Sequence, residues 1–232
     1  MATINATTAQ GGYLQQSRAA SFLSWEDTLF NVGSATSADV NGTYIYTRAQ
    51  YVASFRNPLW VSRRSYLVFD TSAITGTLTS LSLNVFVNSI LDTNYTPDMI
   101  VEVVNSPTLS TALTVSDWAP YSYGAVTTAT ALGNNTWNTL TMNSTGLSQT
   151  ESNNEVTFCL KDNYYDYAYY TNLTDPFDDG YIEYRYNYSG YVPYLDYTMT
   201  TGYGQTVNGI ITANYQNIDG VSKMSISKVL GV

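Results

Sequence analysis

An all-β fold is predicted for this 232-residue chain: an antiparallel jelly-roll-like β-sandwich with a small C-terminal β element. Three observations predict it. Apolar residues recur with period two in runs of five to eight residues. Clusters of Gly, Pro, Asn and Asp separate those runs. β-Branched residues and Ser interrupt every window that has helical spacing. The length suits one substantial core, or one core plus a small appendage.

Residues 1–20 are polar and weakly patterned, and read as an N-terminal arm or an extended first strand. Residues 21–200 carry the sandwich. In RSYLVFD (64–70), Leu67 and Phe69 fall on one face, Tyr66 and Val68 on the other. LSLNVFV (81–87) sets Leu81, Leu83, Val85 and Val87 together. MIVEVV (99–104), WNTLTM (137–142), EVTFCL (155–160), YIEYRYNY (181–188) and YLDYTM (194–199) keep the same habit. TALTVSDW (111–118) has room for one helical turn and no more. Cys159, the only cysteine, sits within EVTFCL and reads as a buried or half-buried strand thiol.

Residues 201–232 form a third segment. Val207-Asn208-Gly209-Ile210, Ile218-Asp219-Gly220-Val221 and Val229-Leu230-Gly231-Val232 recur at intervals of 11 residues. Asn-Gly and Asp-Gly suit two-residue hairpin turns, because both positions need positive φ. A turn at Asp219-Gly220 sets Ile218 opposite Val221, Tyr215 opposite Met224, Ala213 opposite Ile226 and Ile211 opposite Lys228. The last three pairs share one face. The same rule at Asn208-Gly209 extends the hairpin to a three-stranded meander with one apolar face. So small a sheet is marginal in water unless that face is covered. Covering four or five such side chains contributes about 5–10 kcal/mol gross. Either the sandwich of the same chain or a neighbouring subunit supplies the cover. On the second reading Ile211, Ala213, Tyr215, Met224, Ile226 and Val229 are assembly residues.

RRSYLVFDTSAITGTLTSLSLNVFV (63–87) resembles the signature of DNRLRE-type jelly-roll modules: an Arg-x-x-Leu-x-Phe-Asp strand, a short loop and a second apolar strand. NTWNTLTMNSTGLSQTESNNEVTFCLKDNYYDY (135–167) and PYLDYTM (193–199) fall where the later strands of that family belong. The likeness covers about 180 residues in order and spacing. It implies a jelly roll similar to carbohydrate-binding modules, related versions of which occur in phage structural proteins. NIDGVSKMSISKVLGV (217–232) separately resembles tails of phage virion proteins.

Composition narrows the function. Charged residues are only 12% and aromatics 14%, including 22 tyrosines, so hydroxyls and amides supply most of the polarity. A net charge of −9 argues against a nucleic-acid partner. No stretch approaches 18 apolar residues, so no membrane span is expected. MATINATTAQGGY at the start has neither a basic region nor an apolar one and does not read as a signal peptide. A virion protein, made inside a host cell and used outside it, reconciles that start with an extracellular-looking composition.

Histidine is absent, which removes Ser-His-Asp triads and His-rich zinc sites. Glu102, Glu151, Glu155 and Glu183 are the carboxylates a glycosidase pair would draw on, and nothing local marks them. In TNLTDPFDDGY (171–181), Asp175, Asp178 and Asp179 have the oxygen chemistry of a structural calcium site. A polar turn begun by Asp-Pro accounts for the same residues without metal; Asp162 and Asp166 lie shortly before them. Seven Asn-x-Ser/Thr sequons occur, against about five expected by chance from the motif rule, so they establish nothing.

Twelve of the tyrosines fall between Tyr164 and Tyr197. In YIEYRYNYSGY, Tyr184, Tyr186 and Tyr188 share a face with Ile182, and Tyr181, Glu183 and Arg185 share the other. Tyrosine suits sugar faces and protein interfaces equally. Tyr184, Arg185, Tyr186, Tyr188 and Tyr191 are therefore candidates for glycan or subunit contact, beside a plain structural role. The expectation is a non-enzymatic structural subunit of a virion or extracellular fibre, located in the virion or outside the cell. Copies of itself are its partners, in an oligomer or filament, with other virion proteins and polysaccharide as further candidates. The alternative is a carbohydrate-binding module for a surface or environmental polysaccharide.

Overall fold

The computed structural model describes residues 1–20, 25–30, 34–52, 58–92, 98–105, 107–118, 124–168 and 179–200, with the backbone of 217–218 and 221–222. The chain is all-β. Residues 1–20 supply β1 (Ala2–Asn5) and β2 (Gly12–Ala19). β3 (Ser37–Val40), β4 (Tyr44–Val52), β5 (Leu59–Asp70), β6 (Thr77–Asp92) and β7 (Asp98–Val104) follow. After them come β8 (Thr130–Ala131), β9 (Thr136–Thr141), β10 (Glu155–Asp162), β11 (Asp179–Arg185) and β12 (Tyr194–Thr200). The main path runs β1-β12-β6-β11-β4-β5-β10-β7-β8, with β9 added to β6 and β2 linking β5 to β3. The ladders are antiparallel.

Two long strands curl this sheet into a jelly-roll-like sandwich. β6 pairs with β12 through Thr77–Asn84 and with β11 through Phe86–Asp92, while β9 lies along Ser82–Val87. β5 pairs with β4 over Leu59–Arg63 and with β10 over Ser65–Asp70. Where β4 and β10 diverge, Thr47 Oγ1 donates to the Leu160 carbonyl at 3.4 Å.

The main core lies inside the curl. Leu81, Leu83, Val85 and Val87 of β6 meet Leu67 and Phe69 of β5, Phe158 and Leu160 of β10, and Ile182 of β11. Each such side chain, fully buried, contributes about 1.5–3 kcal/mol. Tyr66, Cys159, Leu14 and Trp118 form a second cluster, and Trp25, Leu29, Ala49, Trp60 and Tyr165 a third. Arg64 is fully buried, forked onto Asp166 by Nε (2.7 Å) and Nη2 (2.6 Å), with its guanidinium 4.2 Å from the Trp118 ring. Lys161 pairs with Glu102, also buried.

The turn expected in 111–118 is the 3₁₀ turn Val115–Asp117. The expectation of no further helix is corrected by α1 (Trp25–Phe30), α2 (Ser144–Glu151) and a π-helical turn at Asn163–Tyr167. α1 buries Trp25 and Leu29 four residues apart, and Trp25 Nε1 donates to the Tyr165 carbonyl at 2.8 Å. α2 depends on its cap: Asn143 Oδ1 accepts from Gly146 N at 3.1 Å while Nδ2 holds the Ala125 carbonyl at 3.0 Å. Asp162 Oδ1 caps the π turn through Tyr165 N at 2.7 Å.

The backbones of β13 (Asn217–Ile218) and β14 (Val221–Ser222) pair in a separate two-stranded sheet, Ile218 opposite Val221. That is the pairing expected from a two-residue connection at 219–220. Ile211, Ala213, Tyr215, Met224, Ile226 and Val229 lie outside the described residues.

Candidate ligand-binding face

β11 sorts its side chains as the alternation predicts, and the sorting divides the tyrosine candidates. Ile182, Tyr184 and Tyr186 point into the main core, and both tyrosines are fully buried. Tyr184 Oη donates to Met99 Sδ at 3.6 Å, and Tyr186 Oη to the Thr7 carbonyl at 3.3 Å. Gly11 makes room for the latter, since a Cβ there would stand 2.4 Å from Tyr186 Oη. Burial pushes both phenols well above their ordinary range. These two are therefore core residues, inaccessible to a glycan or a subunit. Tyr181, Glu183 and Arg185 look outward.

Around Arg185 the outer face becomes an aromatic platform. The guanidinium lies 4.2 Å from the Tyr191 ring and 4.9 Å from the rings of Tyr188 and Phe86. Phe86 is directly opposite Arg185 across β6–β11, and Trp137 is directly opposite Phe86 across β6–β9. Trp137 runs nearly parallel to Tyr191, at 6.3 Å and 17°, and packs edge-on against Phe86 and Tyr194. Tyr188 and Tyr191 belong to one tight turn closed by Tyr191 N and the Tyr188 carbonyl at 2.9 Å. Gly190 takes φ of +82° there, which a side chain would resist. Trp137 is 37% and Tyr188 42% exposed, so the platform meets solvent.

A β-bulge supplies the polar half of the site. Val87 faces Tyr184 and Ser89 faces Glu183, leaving Asn88 as the extra residue of β6. Bulges re-aim side chains, and this one reaches both neighbours on β11. Arg185 Nε donates to Asn88 Oδ1 at 3.0 Å, and Asn88 Nδ2 donates to Glu183 Oε1. Glu183 also accepts from Ser89 Oγ at 3.3 Å and from the Tyr46 hydroxyl. Burial and that bond to Glu183 raise the Tyr46 phenol, keeping it a neutral donor. The carboxamide thus stands between Arg185 and Glu183, and the two charges are relayed without being paired. Beside the platform, Thr139 Oγ1 donates to Asn84 Oδ1 at 2.7 Å, and Asn84 Nδ2 donates to Asp196 at 3.1 Å.

The remaining candidates go elsewhere. Besides Glu102 with Lys161, Glu151 accepts from Leu78 N and Glu155 from Leu109 N at 2.7 Å. Asp162 and Asp166 are the cap and the ion-pair partner already described. Asp175, Asp178 and the side chain of Asp179 lie outside the described residues. Thus Arg185, Tyr188 and Tyr191 were drawn together from the sequence candidates, whereas Trp137, Phe86, Asn88 and Tyr46 were missed. No family model matches the chain, and no curated protein sequence matches it.

Proposed function

We propose that the chain is a non-enzymatic polysaccharide-binding β-sandwich, used as a virion or extracellular structural component. The supporting observation is the exposed aromatic platform around Arg185, continuous with the Asn88–Glu183–Tyr46 relay. A sugar ring offers an apolar CH face and a rim of hydroxyls. Flat rings beside fixed donors and acceptors answer both at once. Protein interfaces instead deplete Glu, Asp and Ser at their centres, while this face keeps Glu183, Asp196 and Ser89 among the rings.

Native electrophoresis through gels with and without dissolved laminarin, xylan, galactomannan or glycol chitin tests this. The expected result is retardation by at least one polymer, reduced about tenfold in affinity by Trp137→Ala, the loss of about 1.4 kcal/mol of stacking. The melting temperature should fall by a few degrees as the ring contacts to Phe86, Tyr191 and Tyr194 are lost, while the fold persists because the indole lies outside the main core. Unaltered migration in all four gels, with a purified protein partner held by Trp137, would replace the reading with a protein interface.

A second reading, self-assembly through the C-terminal β element, is favoured by the Ile218–Val221 pairing. That pairing fits the register which lines up Ile211, Ala213, Tyr215, Met224 and Ile226. Chain truncation, argued below, tests it.

A further inference from the structure

The platform is not the only aromatic group on this face. Tyr46 packs edge-on against Tyr13 (5.3 Å, 85°) and Tyr181 (6.4 Å, 71°). Arg63 lies 5.3 Å from both Tyr13 and Tyr46, and Arg48 lies 5.5 Å from Tyr181. All five side chains are partly exposed. Four neighbouring strands bring them together: Tyr181 is opposite Arg48, Arg48 opposite Arg63, and Arg63 opposite Gln15, two residues from Tyr13. Arg63 is steadied by Nε donating to Gln15 Oε1 at 2.7 Å. Burial raises the Tyr13 phenol, with Arg63 opposing and Asp39 assisting, so it too remains a neutral donor.

The spacing relates this group to the platform. Arg185, Glu183 and Tyr181 are alternate residues of β11, so their rows lie about 7 Å apart and the outer two about 13 Å apart. The middle row is the polar one: Asn88 and Ser89 of β6, Glu183 of β11 and Tyr46 of β4, already bonded to one another. The platform, the Glu183–Tyr46 row and the row of Tyr181, Arg48 and Arg63 therefore follow in sequence along an open sheet surface, with Tyr46 and Tyr13 carrying the rings sideways onto β4 and β2. An enclosing pocket suits a terminal sugar. An open track with aromatic stations at both ends suits the interior of a chain.

Resting on the polysaccharide reading, we propose that Tyr13, Tyr46, Tyr181, Arg48 and Arg63 form a second subsite. The ligand is then an internal stretch of an extended polysaccharide, running from Trp137 past Glu183 to Tyr13. Two linked stations bind a chain that spans both far better than a fragment that reaches one.

Titration calorimetry with size-fractionated oligosaccharides, from two to eight units, of laminarin, xylan, galactomannan and chitin tests the span. The expected result is an affinity that climbs with length and then levels off. Tyr181→Ala and Tyr13→Ala, made separately because either alone could unsettle the sheet, should each lower affinity for the longest oligomer about tenfold. Their affinity for the shortest binding oligomer should match the unaltered protein, which also shows that they fold. Affinity independent of length, or long-oligomer binding untouched by both variants, overturns the second subsite and leaves the platform standing. No binding by any series overturns both.

Discussion

Cys159 shows how far burial overrides side-chain chemistry in this sheet. It sits fully buried on β10, with Lys161, Arg64, Glu102 and Asp166 all close enough to bear on it. Desolvation outweighs the two cations, and the thiol is pushed up to about 12 from an ordinary 9.0. Below pH 9 both folded and unfolded chains keep the proton, and the thiol's contribution to stability is whole. Between pH 9 and about 12 the unfolded chain ionises first, so that contribution drains away as pH rises. Urea unfolding of the native protein and of Cys159→Val at pH 8 and pH 10.5 should therefore show the smaller alkaline loss in the variant. Equal losses would refute the assignment. Alternation in EVTFCL sets Cys159 with Thr157, opposite Val156, Phe158 and Leu160, and supports only a buried or half-buried thiol; its full burial follows from both faces of β10 being covered. Trp137 was legible, though overlooked: WNTLTM places the indole with Thr139 and Thr141, opposite Leu140 and Met142. An aromatic on the polar side of a strand is the signal of a surface platform, and Phe86 repeats it beside Ser82 and Asn84. Arg64 and Asp166 are 102 residues apart and give no local sign of meeting.

The bulge in β6 is the element on which the site depends. Period-two reading assumes unbroken register, so it cannot anticipate that Asn88 is surplus. Its effect is to keep Val87 with Tyr184 in the core while turning Ser89 outward to Glu183 and Ile90 inward to Ile182. Two variants separate the bulge from the side chain it presents. Asn88→Ala should keep the register, cost about 1 kcal/mol of stability, and weaken polysaccharide binding by releasing Arg185 and Glu183. Deleting residue 88 closes the bulge and keeps Ser89 outward opposite Glu183 and Ile90 inward opposite Ile182, in an unbroken ladder that lacks the carboxamide. It should therefore cost no more stability than Asn88→Ala and weaken polysaccharide binding at least as much. A deletion variant markedly less stable than Asn88→Ala in denaturant titrations would show that the bulge itself is needed by the ladder. α2 escaped the sequence for a related reason. STGLSQTE has no apolar stripe, and the helix rests on the Asn143 cap and on Gly146 set 3.1 Å, at a notional Cβ, from Met142 and Val126. β4 was overlooked despite its alternation, Ile45 and Thr47 inward with Tyr46 and Arg48 outward.

At the scale of the molecule, the curled sheet and the C-terminal element can be separated by experiment because the residues of the binding face end at Asp196. Deleting residues 205–232 leaves all twelve strands of the main sheet in place. If a second copy covers the apolar face of the meander, the truncated chain should sediment as a smaller species than the intact one. Its melting temperature should be independent of concentration, unlike that of the intact chain, and it should be retarded by the same polysaccharide. If the sandwich of the same chain provides the cover, the opposite pattern follows: the oligomeric state is unchanged, while melting falls by several degrees as core-facing apolar area is exposed. The two arrangements also differ in concentration dependence, since only intermolecular cover ties stability to subunit concentration. Sedimentation velocity of intact and truncated chains over a hundredfold range of concentration, with melting curves on the same samples, distinguishes them. An intact chain whose oligomeric state and melting temperature are both independent of concentration, and match those of the truncated form, would remove the C-terminal element from any part in assembly. It would leave polysaccharide contact as the whole of the proposed role.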